Sequence, residues 1–264
     1  MTWIIGGSTI FGYGALISDV QVTFANGRTT DLVQKAYLIS NFLAAGFAGS
    51  VRIGFMLLDS LAKFTHMSPE ALKTHAWDPM WIANNWQPIA KEVFYSAPQE
   101  EKRLGSQFLI VCASPTENAS LGAKIYFIRL SGPGFKAGIM TKPIKLCSIG
   151  SGADVYEYKR ALKPLFNLRS RILQAETGME CGWADMLSFS VTRLLHDRPK
   201  KGISKHLNIH VVKRGTLYEK NNDERIHGAD GSIIEFIMPK IARSYPEFVE
   251  MTKQKSSNAS CAVC

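Results

Sequence analysis

Blocks of short strands alternate with blocks of long amphipathic helix along this chain, and that order most restricts what it can fold into. Residues 2–8 and 13–18 read as two strands joined by a turn over 9–12. Residues 20–24 alternate apolar with polar side chains before the turn signal Ala25-Asn26-Gly27. Residues 35–38 and 41–46 form a further predicted strand pair. At Gly46-Phe47-Ala48-Gly49-Ser50 the pattern changes. Ile53, Met56, Leu57, Leu61 and Phe64 then recur at helical spacing, which predicts a helix over 51–64. Ser68-Pro69-Glu70 is a helix start. Pro79 and Pro88 are expected to divide the stretch 67–101, which holds Trp77, Trp81 and Trp86, into short helical pieces. Strands follow at 108–113, 124–130 and 143–149. Helices are expected over 155–175, kinked or interrupted near Pro164, and over 179–195. Strands at 207–212, 216–219 and 233–237 precede a short helix at 244–252. Residues 253–264 are polar and are expected to form a flexible tail beyond a single domain spanning 2–252. Segregated strands and helices indicate the α+β class. Long central helices held between two antiparallel sheets would accommodate this order.

With 264 residues, 46% hydrophobic and 20% charged, the chain has material for a sizeable core. Its formal net charge of +9 could draw an acidic partner. The basic residues are spread out, however, and the densest run is Arg198-Pro199-Lys200-Lys201. Without interleaved aromatic residues this reads as a solvated basic face, and no nucleic-acid partner is expected. The five cysteines, Cys112, Cys147, Cys181, Cys261 and Cys264, are odd in number and do not suggest a disulfide framework, which points to a reducing cytoplasm. No signal peptide is expected at the N-terminus. The most apolar stretch, 42–61, contains Arg52 and Asp59 and reads as a buried strand running into a buried helix, so no membrane association is expected.

Thr2 is the first candidate for chemistry. Threonine after an initiator methionine permits removal of Met1. The new terminus would then carry a hydroxyl nucleophile and an α-amine base on one residue. An α-amine titrates at about 7.7–8.0, so much of it is neutral near physiological pH.

Four further segments carry a resemblance. Asp19-Val20-Gln21-Val22-Thr23-Phe24-Ala25-Asn26 resembles the Asp-x-Gln-Val-Thr-x-x-Asn stretch of bacterial HslV peptidases, relatives of proteasome β subunits among the N-terminal-nucleophile (Ntn) hydrolases. Lys35 keeps the spacing from the aspartate that the family's active-site lysine has. Ala45-Gly46-Phe47-Ala48-Gly49-Ser50 is similar to the family's turn into its first helix, and Ile149-Gly150-Ser151-Gly152 to the opening of its third. Gly202-Ile203-Ser204 resembles its serine loop. The chain departs from the family in having Trp3 beside the threonine, one extra residue before Asp19, and Lys201 where proteasomes carry an aspartate.

The resemblance implies a four-layer αββα sandwich, the Ntn-hydrolase fold, and a threonine endopeptidase working through an acyl-enzyme. Thr2 would be the nucleophile. Lys35 would lower the amine pKa and steady the alkoxide, with Asp19 pairing to it. Gly46 would lend the oxyanion a backbone N–H, with Gly49 as the second candidate. Ser151 and Ser204 would orient the amine and its water. The implied partners are a peptide or unfolded-protein substrate, a homo-oligomeric ring and an ATP-dependent unfoldase, with no cofactor or metal. Inactive ring subunits of this kind also exist, which makes a structural subunit the main alternative.

Other motifs compete less well. Phe11-Gly12-Tyr13-Gly14-Ala15-Leu16 resembles the glutamyl-holding loop of γ-glutamylcyclotransferases, with Ala15 in place of serine. Gly6, Gly7, Gly12 and Gly14 miss the G-x-G-x-x-G spacing of a dinucleotide loop. His206 and His210 are four apart on a predicted strand, whereas that spacing makes a ligand pair on a helix. Cys261-Ala262-Val263-Cys264 has the shape of a prenylation box or a redox pair.

Overall fold

Two five-stranded antiparallel sheets carry most of the core. The structure, a computed structural model, describes residues 2–9, 12–66, 78–115, 124–141, 146–166, 179–213, 215–227 and 231–261. The first sheet is ordered β10 (Leu146–Ile149), β1 (Ile4–Ser8), β2 (Gly14–Asp19), β11 (Leu207–Lys213) and β12 (Thr216–Asn221). The second runs β5 (Ala36–Ser40), β6 (Leu43–Gly49), β7 (Ser106–Ala113), β8 (Ile125–Ser131) and β9 (Gly138–Met140). Two ribbons, β3 (Gln21–Thr23) with β4 (Thr29–Asp31) and β13 (Glu224–His227) with β14 (Ile233–Phe236), stand apart from them. The described helices are α1 (Val51–His66), α2 (Pro79–Ser96), α3 (Gln99–Arg103), α4 (Tyr156–Phe166), α5 (Met179–Asp197) and α6 (Tyr245–Cys261). None of them is long and apolar enough to cross a membrane.

The two-residue period of the strands sorts their side chains into three cores. Ile4, Leu16 and Val212 of the first sheet meet Ala44, Leu109 and Phe127 of the second in a cluster to which no described helix contributes. Ile5, Ile17 and Val211 point the other way, against Tyr158 and Leu162 of α4 and Trp183 and Leu187 of α5. On the far side of the second sheet, Phe47, Phe108 and Ile110 pack with Leu57 and Leu61 of α1 and Ile82 and Trp86 of α2. The expectation of central helices between two sheets is therefore reversed, because the sheets face one another and the helices cover their outer faces. The reason lies in the faces. These strands are apolar on both sides and need a cover on each, whereas helices such as α1 keep a polar face for water.

Two helices also differ from expectation. Residues 79–96 form one continuous helix through Pro88, not two pieces. Asp78 caps it by accepting the Trp81 N–H at 2.6 Å, with Pro79 in the first turn, where its missing N–H costs nothing. An interior proline costs about 3 kcal/mol. Burial of Ile82, Trp86, Ala90 and Phe94 along one face offsets it. The last helix runs on to Cys261, past the expected end at residue 252 and into the expected tail, since no glycine or proline interrupts 247–261. The helix start at Ser68-Pro69-Glu70, Trp77 and residues 167–175 lie outside the described residues.

Ser50 begins α1, its hydroxyl accepting the Ile53 N–H at 3.1 Å and donating to Glu101 Oε2 at 2.6 Å. One turn on, Gly54 lies directly on Phe47, and a Cβ there would stand 2.1 Å from Phe47 Cδ2. Helix propensity alone favours Gly54→Ala by about 1 kcal/mol. Overpacking against a buried ring costs about 1–3 kcal/mol or more. Gly54→Ala is expected to lower the urea midpoint of unfolding; a raised midpoint would mean that Phe47 can move aside.

Candidate active site

The site forms where the ends of several strands meet, and it starts from the backbone of Thr2. The turn after β10 closes on that residue. Gly150 adopts φ +87°, and a Cβ on it would stand 2.4 Å from the Thr2 carbonyl oxygen. The Gly152 N–H donates to the same oxygen at 2.9 Å, and the Gly150 N–H donates to Gln107 Oε1 at 2.7 Å. With the turn held this close, Ser151 Oγ lies 3.0 Å from the Thr2 nitrogen. Trp3 turns away from the cleft into the core against α4, its ring 5.2 Å from that of Tyr158 in an edge-on contact.

Asp19, at the end of β2, donates its N–H to the Trp3 carbonyl at 3.0 Å. Its carboxylate is wholly buried and pairs with Lys35 Nζ at 2.7 Å. The same Nζ lies 3.3 Å from Thr2 Oγ1 and donates to the Gln21 carbonyl. Three acceptors thus surround a group with three N–H bonds. Burial pushes the Asp19 carboxyl above its ordinary value; the Lys35 charge and the backbone N–H groups of Trp3 and Ser204 oppose that push.

Thr2, Asp19, Lys35 and Ser151 are therefore brought together, but Gly46 and Ser204 are not placed as expected. Gly46 sits inside the second sheet, opposite Ala36 on one side and Leu109 on the other. Antiparallel N–H groups alternate in direction. The Phe47 N–H points to β5, meeting the Lys35 carbonyl at 3.0 Å, and the Ser50 N–H points to the β7 side, meeting the Gly105 carbonyl at 3.0 Å. By that alternation the Gly46 N–H turns toward β7 and is spent in the ladder. The Gly49 N–H falls on the Phe47 side, at a level that β5, beginning at Ala36, does not reach. Gly49 also has φ +101° and lines the cleft, so it replaces Gly46 as the candidate oxyanion donor.

Ser204 makes no hydrogen bond to Thr2. Its hydroxyl donates to Asp31 Oδ2 at 2.7 Å, and His206 Nδ1 meets the same oxygen at 2.7 Å. Lys201 is exposed, so the carboxylate on Ser204 comes from Asp31. Burial alone would raise the Asp31 carboxyl, but the hydrogen bonds from His206 and Ser204 outweigh it and hold the group below its ordinary value. Sequence reasoning missed Asp31, His206 as its partner, and Gln107, because each acts on a residue remote in the chain. Gln21 stood within the motif at Asp19 but acts through its backbone carbonyl.

The resulting cleft has a volume of about 490 Å³ and is lined by Thr2, Lys35, Ala48, Gly49, Leu104 and Ser151 among others. A larger cleft of about 630 Å³ between α1 and α2, lined mainly by Met56, Phe64, Trp81 and Val93, lies apart from this chemistry. The glycine run compared with a glutamyl-holding loop leads into a strand. Gly14-Ala15-Leu16 are buried residues of β2, packed so closely that a Cβ on Gly14 would stand 2.9 Å from Val111 Cγ1. His210 lies buried in β11, 3.7 Å from Glu219, and burial lowers its imidazole below its ordinary value. Among the described residues no group of three His, Cys, Asp or Glu side chains could hold a metal ion. Cys264 lies outside the described residues. In comparisons with known proteins, no family model and no curated protein matches the chain.

The depressed Asp31 carboxyl makes stability depend on pH with a definite sign. Its folded pKa lies below the ordinary 3.8, so the folded state binds the proton less readily than the unfolded chain. The stabilisation is complete above about pH 5 and is lost as the pH falls through the depressed value. Urea midpoints of the parent and of Asp31→Asn, compared from pH 6 to pH 2, are expected to differ at the upper end and converge at the lower. A constant difference across that range would show that Asp31 does not titrate as described.

Proposed function

We propose that this chain is a proteasome-like N-terminal threonine peptidase of the Ntn-hydrolase class, made active by removal of Met1. The observation that carries this reading is the position of Thr2, whose Oγ1 lies 3.3 Å from the buried Lys35 ammonium while its nitrogen lies 3.0 Å from Ser151 Oγ. Two face-to-face sheets with helices on their outer faces fit the four-layer αββα sandwich of that class. The same reading puts the subunit in a cytoplasmic homo-oligomeric ring that receives peptide or unfolded protein, with an ATP-dependent unfoldase as the class of feeding partner.

With Met1 gone, the Thr2 nitrogen becomes a free amine. It takes the hydroxyl proton, directly or through a water, as Oγ1 attacks the peptide carbonyl. Ser151 orients the amine. The Lys35 charge favours the neutral amine over the ammonium and stabilises the developing alkoxide. The Gly49 N–H donates to the oxyanion, a contribution that in comparable sites is worth about 10²–10³ in rate. Collapse of the intermediate breaks the C–N bond, the Thr2 ammonium protonates the departing amine, and an ester to Thr2 remains. Water then hydrolyses the ester with the amine again acting as base.

The mass of the purified protein is expected to correspond to a chain beginning at Thr2, and a peptidyl epoxyketone is expected to attach there. Thr2→Ala should abolish peptide cleavage and labelling, and Thr2→Ser should retain part of both. Peptide cleavage by a chain that still carries Met1 would defeat the proposal. A processed, ring-forming chain that takes no label would instead be a structural subunit.

A further inference from the structure

Asp31, Ser204, His206 and Gln21 form one interlocked polar cluster beside the site. Asp31 Oδ2 meets Ser204 Oγ and His206 Nδ1 at 2.7 Å each, and Ser204 Oγ accepts the His206 backbone N–H at 2.8 Å. Asp31 Oδ1 lies 3.5 Å from Gln21 Nε2, across the ribbon in which the two residues are direct partners. An ionised carboxylate only accepts hydrogen bonds. The single hydroxyl proton of Ser204 is therefore committed to Asp31, and His206 Nδ1 donates to the same carboxylate. The composition is that of a hydrolytic triad, but the geometry is not, because the serine faces the carboxylate instead of the imidazole. Without a base on its hydroxyl this cluster is a brace.

The brace reaches Lys35 through the ribbon. The carbonyl of Gln21 accepts from Lys35 Nζ, and the same ammonium pairs with Asp19. The β3–β4 ribbon belongs to neither large sheet, and a two-stranded ribbon is marginal by itself. Asp31 ties it to the loop that leads into β11.

We infer that Asp31 is a positioning residue: through Ser204 and His206 it anchors the β3–β4 ribbon so that the Gln21 carbonyl holds the Lys35 ammonium against Thr2 Oγ1. The kinetic consequence rests on Thr2 being the nucleophile; the structural consequence does not. A displacement of about 1 Å in such a group can cost about 100-fold in rate.

The test is Asp31→Asn in the full chain, with two readouts. The first is the NMR signal of the Lys35 ammonium in protein carrying ¹⁵N-lysine, identified by its loss in Lys35→Arg. The inference expects this signal to shift, and its protons to exchange several-fold faster, in a variant that circular dichroism finds folded. An unchanged Lys35 signal would overturn it. The second is attachment of an epoxyketone probe to Thr2. The maximal rate should fall about 10–100-fold, with half-saturation unchanged within about twofold and the final labelled fraction preserved. An unchanged rate with a lower final fraction would indicate a merely structural role and would also overturn the inference. His206→Gln, which can still donate to Asp31, should retain more of the rate than His206→Ala. If Asp31→Asn does not fold, Ser204→Ala removes one of the two short bonds and should move both readouts the same way by less. If the parent takes no label, the proposed peptidase function fails and the Lys35 signal alone decides the brace.

Discussion

The candidate site depends on one buried ammonium. Lys35 precedes the first strand of one sheet, and Asp19 ends a strand of the other, so their 2.7 Å contact ties the two sheets together at one end. Taking both charges out of water costs several kcal/mol per ion, and such a pair survives only where further hydrogen bonds complete it. Here the Gln21 carbonyl and Thr2 Oγ1 complete the ammonium. The requirement that makes the pair tolerable also aims a positive charge at the Thr2 hydroxyl, the nucleophile of the proposed mechanism. Structure and chemistry share a single constraint.

That constraint can be met because the sheets approach closely. Gly6, Gly14, Ala36, Ala44 and Ala48 line the space between them, and a Cβ on Gly6 would already stand 3.0 Å from Phe127 Cε1. Close approach lets a side chain from one sheet reach the strand ends of the other, and the glycine turn after β10 then presses Ser151 onto Thr2. Rigid strands supply the precision here. Thr2 and Lys35 stand just before β1 and β5, and loops supply Ser151 and the Ser204–His206 segment, each pinned by named hydrogen bonds.

Local periodicity made α1 legible, because its apolar residues recur on one face. It failed at α2, where Pro88 reads as a break but the burial of Trp86 and its neighbours outweighs the lost hydrogen bond. It failed again at α6, where the apolar pattern ends before the helix does. Asp31 was invisible for a different reason. Its partners Ser204 and His206 lie 173 and 175 residues away, and an aspartate at the end of a short polar strand is by itself unremarked.

By itself the sequence determined the order of strands and helices, which helix faces are apolar, and a threonine, aspartate, lysine and serine spaced as a resemblance would have them. Those properties are set by near neighbours and spacing along the chain. Only the tertiary structure decided between central helices and outer ones, that the N–H facing the cleft belongs to Gly49 and not Gly46, and that Ser204 serves Asp31 instead of Thr2. Each of these depends on the register between strands or on a contact across the fold. In a ladder where direction alternates residue by residue, the identity of the N–H left over follows from where the neighbouring strand begins, and no local pattern carries that information.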